Sequence, residues 1–248
     1  MKTLKYVVLF IFVFACDSED AGDCFQKAGT IIKEEVVVSS FDKILVNRDV
    51  ELILKEDVNQ SVIIETGKNL WNDVSAEVVD GRLILTDNNT CNYVRDYGIT
   101  KIYVTAPNIT EIRSSTQYDI RSDGVLTYPD LTVLSEDFGA QGTFNVGDFR
   151  LQIDNISFRL VFNNLSVAYV SGETENLSVT FAAGTSRFEG RNLIAENVSV
   201  SNRGSNDMIV NPQQEIKGII SGIGDVISVN QPPIVDVEEV YRGRLIFE

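Results

Sequence analysis

Chemistry in this 248-residue chain has to be sought among carboxylates, lysines, arginines, tyrosines and three cysteines, because the chain has no histidine. Histidine is the commonest general base near neutral pH and the commonest zinc ligand. Ser-His-Asp and Cys-His mechanisms are therefore excluded. The loop Cys91-Asn-Tyr93-Val-Arg95-Asp96-Tyr97-Gly98 carries the densest functional chemistry. Tyr93, Arg95 and Tyr97 on a polar loop could stack on and hydrogen-bond a sugar ring or a peptide. The plainer alternative is a connector with one tyrosine packed inward. Cys24 and Cys91 form an even pair once Cys16 is set aside. In an oxidising compartment such a pair suggests a disulfide, with two free thiols as the alternative. Asp119, Asp207 and Asp225 each follow a small-residue turn, and would hold a cation only if those turns lined one edge. Neither the calcium-binding nonapeptide nor a D-x-D-x-D-G loop is present, so solvated corner aspartates and no metal site are expected. Arg159 and Arg187 could serve as bases of a lyase, but no arrangement of them is visible. No catalytic residue and no cofactor are expected.

Cys16 belongs to a different kind of chemistry. Lys2 and Lys5 precede an unbroken apolar run from Tyr6 to Ala15, and Asp17-Ser18-Glu19-Asp20 follows the cysteine. A bilayer-spanning helix needs about 20 residues, so this shorter run suits the h-region of a secretory signal. Val13-Phe14-Ala15-Cys16 resembles the lipobox of bacterial lipoproteins. The resemblance implies cleavage before Cys16, a diacylglyceryl group on its sulfur and an acyl chain such as palmitate on its new amine. Two or more buried chains anchor a protein stably where one does not. An ordinary secretory signal with an incidental cysteine is the alternative. Residues 1–15 thus read as a lipoprotein signal peptide and 16–30 as an acidic tether. The acidic stretch resembles surface-export signals of Bacteroidetes lipoproteins, although a solvated linker has the same composition. The expected location is the outer membrane, lipid-anchored and surface-exposed, with the periplasmic face as the other choice. The whole chain has 21 basic and 36 acidic residues, a formal charge of −15. Removing 1–15 takes away two lysines and no acid, which leaves about −17. Nucleic acid is therefore not an expected partner, since phosphate contacts require a basic surface.

The elements that must position these residues read as β-strands throughout. Val50, Leu52 and Leu54 alternate with Glu51, Ile53 and Lys55, which places one set on each face of a strand. Ala76–Val79 and Arg82–Leu85 flank Asp80-Gly81, a type I′ hairpin signal. Lys101–Thr105 is a further strand, and Lys68–Val74 reads as one short turn with Trp71 as a core plug. Pro232-Pro233 is expected to mark the exit from the last regular segment. Residues 31–105 form an N-terminal β portion containing the hairpin, and 106–248 form a repeat-bearing portion, the two together reading as one unit over 31–248. In the latter, Asp130-Leu-Thr-Val133, Asn155-Ile-Ser-Phe158, Asn164-Leu-Ser-Val167, Asn176-Leu-Ser-Val179 and Asn197-Val-Ser-Val200 echo one another. Gly184, Gly204 and Gly222 mark turns between them. Short strands repeating near every 20 residues imply stacked coils that bury a continuous core only together. Asparagine suits the corners, where its amides can bond up and down the stack. The competing architecture is a sandwich of irregular hairpins. The N-x-Ser/Thr triplets within the echo read as corner-plus-strand units.

In order along the chain, Phe41-Asp-Lys-Ile44-Leu-Val46, Asp80-Gly81-Arg-Leu83-Ile-Leu85, Ile102-Tyr-Val104-Thr-Ala-Pro107-Asn-Ile109 and Ser221-Gly222-Ile-Gly224-Asp225 resemble the head GIN domain. That group is described as auto-transporter adhesins and is common among Bacteroidetes lipoproteins. The likeness runs over roughly residues 34–230. It implies an all-β, right-handed parallel β-helix or β-solenoid stack, an envelope location and no catalytic residues. The middle turns Ser114-Ser115-Thr116-Gln117 and Asp137-Phe138-Gly139-Ala140 depart from the family's Ser-Gly pattern and imply wider coils there. The expected function is a non-enzymatic cell-envelope lipoprotein for adhesion or partner docking. The second reading is a carbohydrate-binding accessory of a glycan-handling system. Partners are then the membrane, through the lipid, and a glycan or protein ligand.

Overall fold

A computed structural model describes residues 23–89, 91–138 and 142–248. The stretch read as a signal peptide, residues 1–15, and Cys16 lie outside the described residues. The described residues form 17 strands in one all-β sheet that curls round nearly closed on itself. The first strands are β1 (Ile31–Val36), β2 (Lys43–Val46), β3 (Glu51–Glu56), β4 (Ser61–Gly67), β5 (Val74–Val79), β6 (Arg82–Asp87) and β7 (Lys101–Ala106). Then come β8 (Glu111–Ser114), β9 (Ile120–Leu126), β10 (Asp130–Ser135), β11 (Phe149–Phe162), β12 (Val167–Phe181), β13 (Arg187–Asn202) and β14 (Met208–Ile220). β15 (Val226–Ser228), β16 (Ile234–Glu239) and β17 (Leu245–Phe247) end the chain.

From β8 onward every ladder is parallel, and successive strands stack one coil apart. Phe149 pairs with Ala168, Ala168 with Phe188, Phe188 with Met208, Met208 with Val226 and Val226 with Leu245. A second wall runs through Val133, Leu160, Val179, Val200, Gly218 and Val237. The long strands β11 to β14 turn a corner and belong to both walls. Their alternating pattern follows from this placement: Leu151, Ile153, Phe158 and Leu160 are buried while Gln152, Asp154 and Arg159 face out. Inside, Phe162 sits between Phe149 and Phe181, with ring centroids 5.2 and 6.3 Å away. All three rings have no exposed surface. Filling the interior this way is what makes a one-coil unit unstable and the stack stable.

The echo is only partly a register. Asp130, Asn176 and Asn197 occupy one ladder position, and Asn197 Nδ2 donates to Asn176 Oδ1 at 3.2 Å. Asn155 is out of phase, because Ser157 holds the equivalent place. Asn164 lies in a turn of the stack, where its carbonyl accepts from Thr185 N. The glycine turns do stack: Gly204 O accepts from Ile223 and Gly224, and Gly222 O accepts from Gly243. The sequence periodicity mixed corner asparagines with turn asparagines because both favour the same backbone conformations.

The N-terminal strands join the same ladders. β2 pairs parallel with β8 and β3 with β9, so hydrogen bonding runs across position 105 without a break. β5 and β6 form the expected hairpin, with Asp80 and Gly81 at φ 51° and 75°. β4 runs antiparallel between β1 and β7 and covers that end of the stack. Two expectations need correction. Leu70, not Trp71, is the buried residue of the 3-10 helix Lys68–Asp73; Trp71 is partly buried against the core. Pro232-Pro233 is not an exit, since β16 and β17 form a further coil beyond it. No helix among the described residues is long and apolar enough to cross a membrane.

Candidate docking surfaces

The segment before β1 is stitched onto the N-terminal end of the stack. Cys24 and Cys91 are joined by a disulfide. Tyr93 N–H donates to the Cys24 carbonyl at 2.9 Å, Gln26 Nε2 donates to the Asn69 carbonyl at 2.8 Å, and Asn69 N donates to the Ala28 carbonyl at 3.1 Å. The loop is folded locally by Asn92, whose Oδ1 accepts from Val94 N and Arg95 N, while its Nδ2 donates to the Arg95 carbonyl. Such side-chain-to-backbone bonding is why asparagine nucleates turns.

This geometry separates the three residues read as one binding set. Arg95 is a clasp: Nη1 donates to the Gln26 carbonyl at 3.2 Å and Nη2 to the Asn89 carbonyl at 3.1 Å. Tyr93 and Tyr97 both face outward, 75 % and 76 % exposed, so neither packs into the core. Phe25 lies against Tyr93, centroids 5.7 Å apart, and Val94 is exposed beside it. Phe25 was missed in the sequence, although its place next to Cys24 tied it to the same loop. Behind the loop is a cavity of about 140 Å³ lined by Asp49, Asp87, Asn89, Thr100 and Tyr118, among others. Asp87 accepts from Thr100 Oγ1 at 2.5 Å and from the Asn89 backbone and amide. Asp49 sits at φ 68° and is held by Gln117, which accepts from its N–H and donates to its Oδ1. Burial, opposed by the Gln117 hydrogen bond, raises the Asp49 carboxyl above its ordinary value. Burial also pushes up the Tyr118 hydroxyl. Most of these groups are held by neighbouring protein groups, while the buried Asn89 Oδ1 has no hydrogen-bond partner.

Wider depressions lie along the wall. One of about 520 Å³ is lined by Ser122, Arg150, Gln152, Tyr169, Glu189 and Arg191, among others. Arg150 lies over the Tyr169 ring at 4.4 Å and is bonded to Asp119 at 2.9 Å. Another, about 380 Å³, presents Asp154, Glu173, Glu175 and Glu196 beside exposed Ile156 and Ile194. No signal marked the first in the sequence, since Arg150 and Tyr169 become neighbours only through coil register.

The candidate cation ligands are used structurally. Asp207 Oδ1 accepts from Asp225 N at 3.1 Å, and Asp225 Oδ1 accepts from Arg244 N at 2.8 Å, so the two climb one edge as caps for the next coil. Asp119 stands on the same edge, four pairings further along the stack, and is bonded to Arg150. Among the described residues no cluster of three or more metal-ligating side chains occurs. Arg187 is pinned by Glu189 and Asp207, and these partners, Glu189 first, hold its guanidinium more firmly protonated than usual. That is the opposite of what a general base requires. Arg159 is exposed on the outer face of β11.

A repeat-built all-β stack with a stitched end and open side-wall grooves defines the class. The chain belongs to the family described as "Putative auto-transporter adhesin, head GIN domain", whose profile matches residues 40–232. Among solved structures, one named as an adhesin from Bacteroides fragilis is 18% identical, with 90% of this chain and 99% of that chain covered and a TM-score of 0.79. An adhesin from Parabacteroides merdae is 12% identical over 89% and 97%, with a TM-score of 0.61. A protein named as lipid binding from Parabacteroides distasonis is 14% identical over 88% and 97%, with a TM-score of 0.57. At these identities the likeness is one of fold. No curated protein matches the chain.

Proposed function

We propose that the mature protein is a non-enzymatic lipoprotein of the outer membrane. Acyl chains on Cys16 anchor it, and its coils, wound as a right-handed β-solenoid, present a side wall for adhesion or partner docking at the cell surface. The observation that carries this reading is the open groove on which Arg150 is laid over Tyr169, with Glu189 and Arg191 alongside. Arginine and tyrosine are among the residues enriched at the energetic centres of protein interfaces. Family membership supports the same reading.

The test has two parts. Intact mass of the purified protein reports acylation, and Cys16→Ser is expected to release the protein from detergent-extractable membranes. Protease treatment of intact cells is expected to degrade it; protection would leave a periplasmic role. A photo-crosslinking residue at Tyr169 is expected to capture an envelope or host-surface partner, and an equally reactive one at exposed Val58 is not.

A second reading, a carbohydrate-binding accessory of a glycan-handling system, is favoured by the outward Tyr93 and Tyr97 rings. Binding on a glycan array that Tyr93→Ala and Tyr97→Ala abolish would support it. The use of Arg95 on backbone carbonyls removes one of its three groups from ligand contact.

A further inference from the structure

Phe25 and Tyr93 are in ring contact, and Val94 and Tyr97 are exposed on the same, otherwise polar loop. All four side chains are about half or more exposed at the N-terminal end of the stack. Their backbone is rigidly tied there by the disulfide, the Tyr93-to-Cys24 bond and the Arg95 clasp. An exposed, preorganised apolar patch marks an interaction site.

What it meets follows from the chain that leads to it. Cys24 is eight residues from Cys16, and eight extended residues reach about 28 Å at most. If the lipid sits on Cys16, as proposed above, Cys24 can never be farther than that from the bilayer surface, and the patch is on the loop bonded to it. Its composition fits the bilayer boundary: tyrosine rings with an apolar body and a polar tip partition to the headgroup level. The acids Asp17, Glu19, Asp20 and Asp23 between Cys16 and Cys24 in the sequence oppose an electrostatic attraction to anionic lipid, so the contact has to be apolar.

We infer that Phe25, Tyr93, Val94 and Tyr97 are a foot that rests in the headgroup region of the membrane to which Cys16 is anchored. The stack then stands end-on. The wall that begins with β5 and ends with β16 contains ten strands in succession, through β6, β2, β8 and β10 to β14. At about 4.8 Å per strand, its far end stands roughly 43 Å above its first strand. The groove at Arg150 and Tyr169 lies between, clear of the lipid.

The experiment uses the full mature protein in a Trp71→Phe background, because Trp71 is the one tryptophan. Reporters are Tyr97→Trp at the foot and Tyr241→Trp on the exposed last coil. Each is reconstituted into phosphatidylcholine vesicles containing brominated lipid. The foot reporter is expected to lose emission and shift to the blue, with no dependence on salt. The far reporter is expected to do neither. Loss of emission at both would mean that the protein lies flat, and loss at neither would mean that the patch is free of lipid; both overturn the foot. Phe25→Trp, on the other side of the disulfide, checks that the result does not depend on one substitution. The inference rests on acylation of Cys16, which intact mass reports separately. An unacylated terminus defeats that reading, whereas an acylated protein with a silent foot reporter defeats only this one.

Discussion

Asp49 is a non-glycine residue in the left-handed region at φ 68°, held there by a two-way amide clasp from Gln117. Its carboxyl is raised chiefly by burial. A group whose folded pKa exceeds its unfolded value near 3.9 binds more protons folded than unfolded, so it costs stability as pH rises through that window. Asn in place of Asp keeps both clasp bonds and tolerates the same backbone conformation. Asp49→Asn is therefore expected to raise Tm at pH 7, with the gain shrinking to nothing below about pH 4. Thermal melts across that range check it. The residue scale is also where sequence reading succeeded least evenly. The tyrosines of the loop were visible as functional candidates, but Arg95 was not visible as a clasp. Its acceptors, the carbonyls of Gln26 and Asn89, belong to segments whose proximity depends on the fold.

At the scale of elements, what governs the stack is how closely one coil lies on the next. Gly218 has φ 138°, and a Cβ built there would collide with the Val200 carbonyl oxygen of the coil below. The clash is with backbone, which cannot swing aside. Gly218→Ala is expected to destabilise the protein by about 2 kcal/mol or more, through strain at a positive φ and a displaced ladder. A lowered denaturation midpoint measures it. Alanine for Gly124, also at positive φ but with open space around its Cβ, is expected to cost less. Strand texture, the Asp80-Gly81 hairpin and the repeat near 20 residues were legible in the sequence, because each is a local pattern. The phase of the repeat was not. Asn155 fits the motif yet stands two residues off the ladder, since register is set by which side chains fill the interior.

For the whole molecule, the disulfide ties the approach to β1 to a loop 67 residues away and keeps that end of the stack covered. Replacing Cys24 and Cys91 together by serine is expected to lower unfolding free energy by about 2–4 kcal/mol. Chemical denaturation of both proteins measures the difference. The ladders from β2 to β8 and from β3 to β9 argue that residues 31–248 unfold as one unit, with no boundary at 105. What the sequence by itself determined was the all-β class, the exclusion of histidine chemistry and the family. These follow from composition, period and the order of short motifs, all of which survive without coordinates. What only the tertiary structure decided was which side chains are neighbours. Arg150 meets Tyr169, Asp207 caps Asp225, and Phe25 joins Tyr93 because coil register and one cross-link bring distant segments within bonding reach.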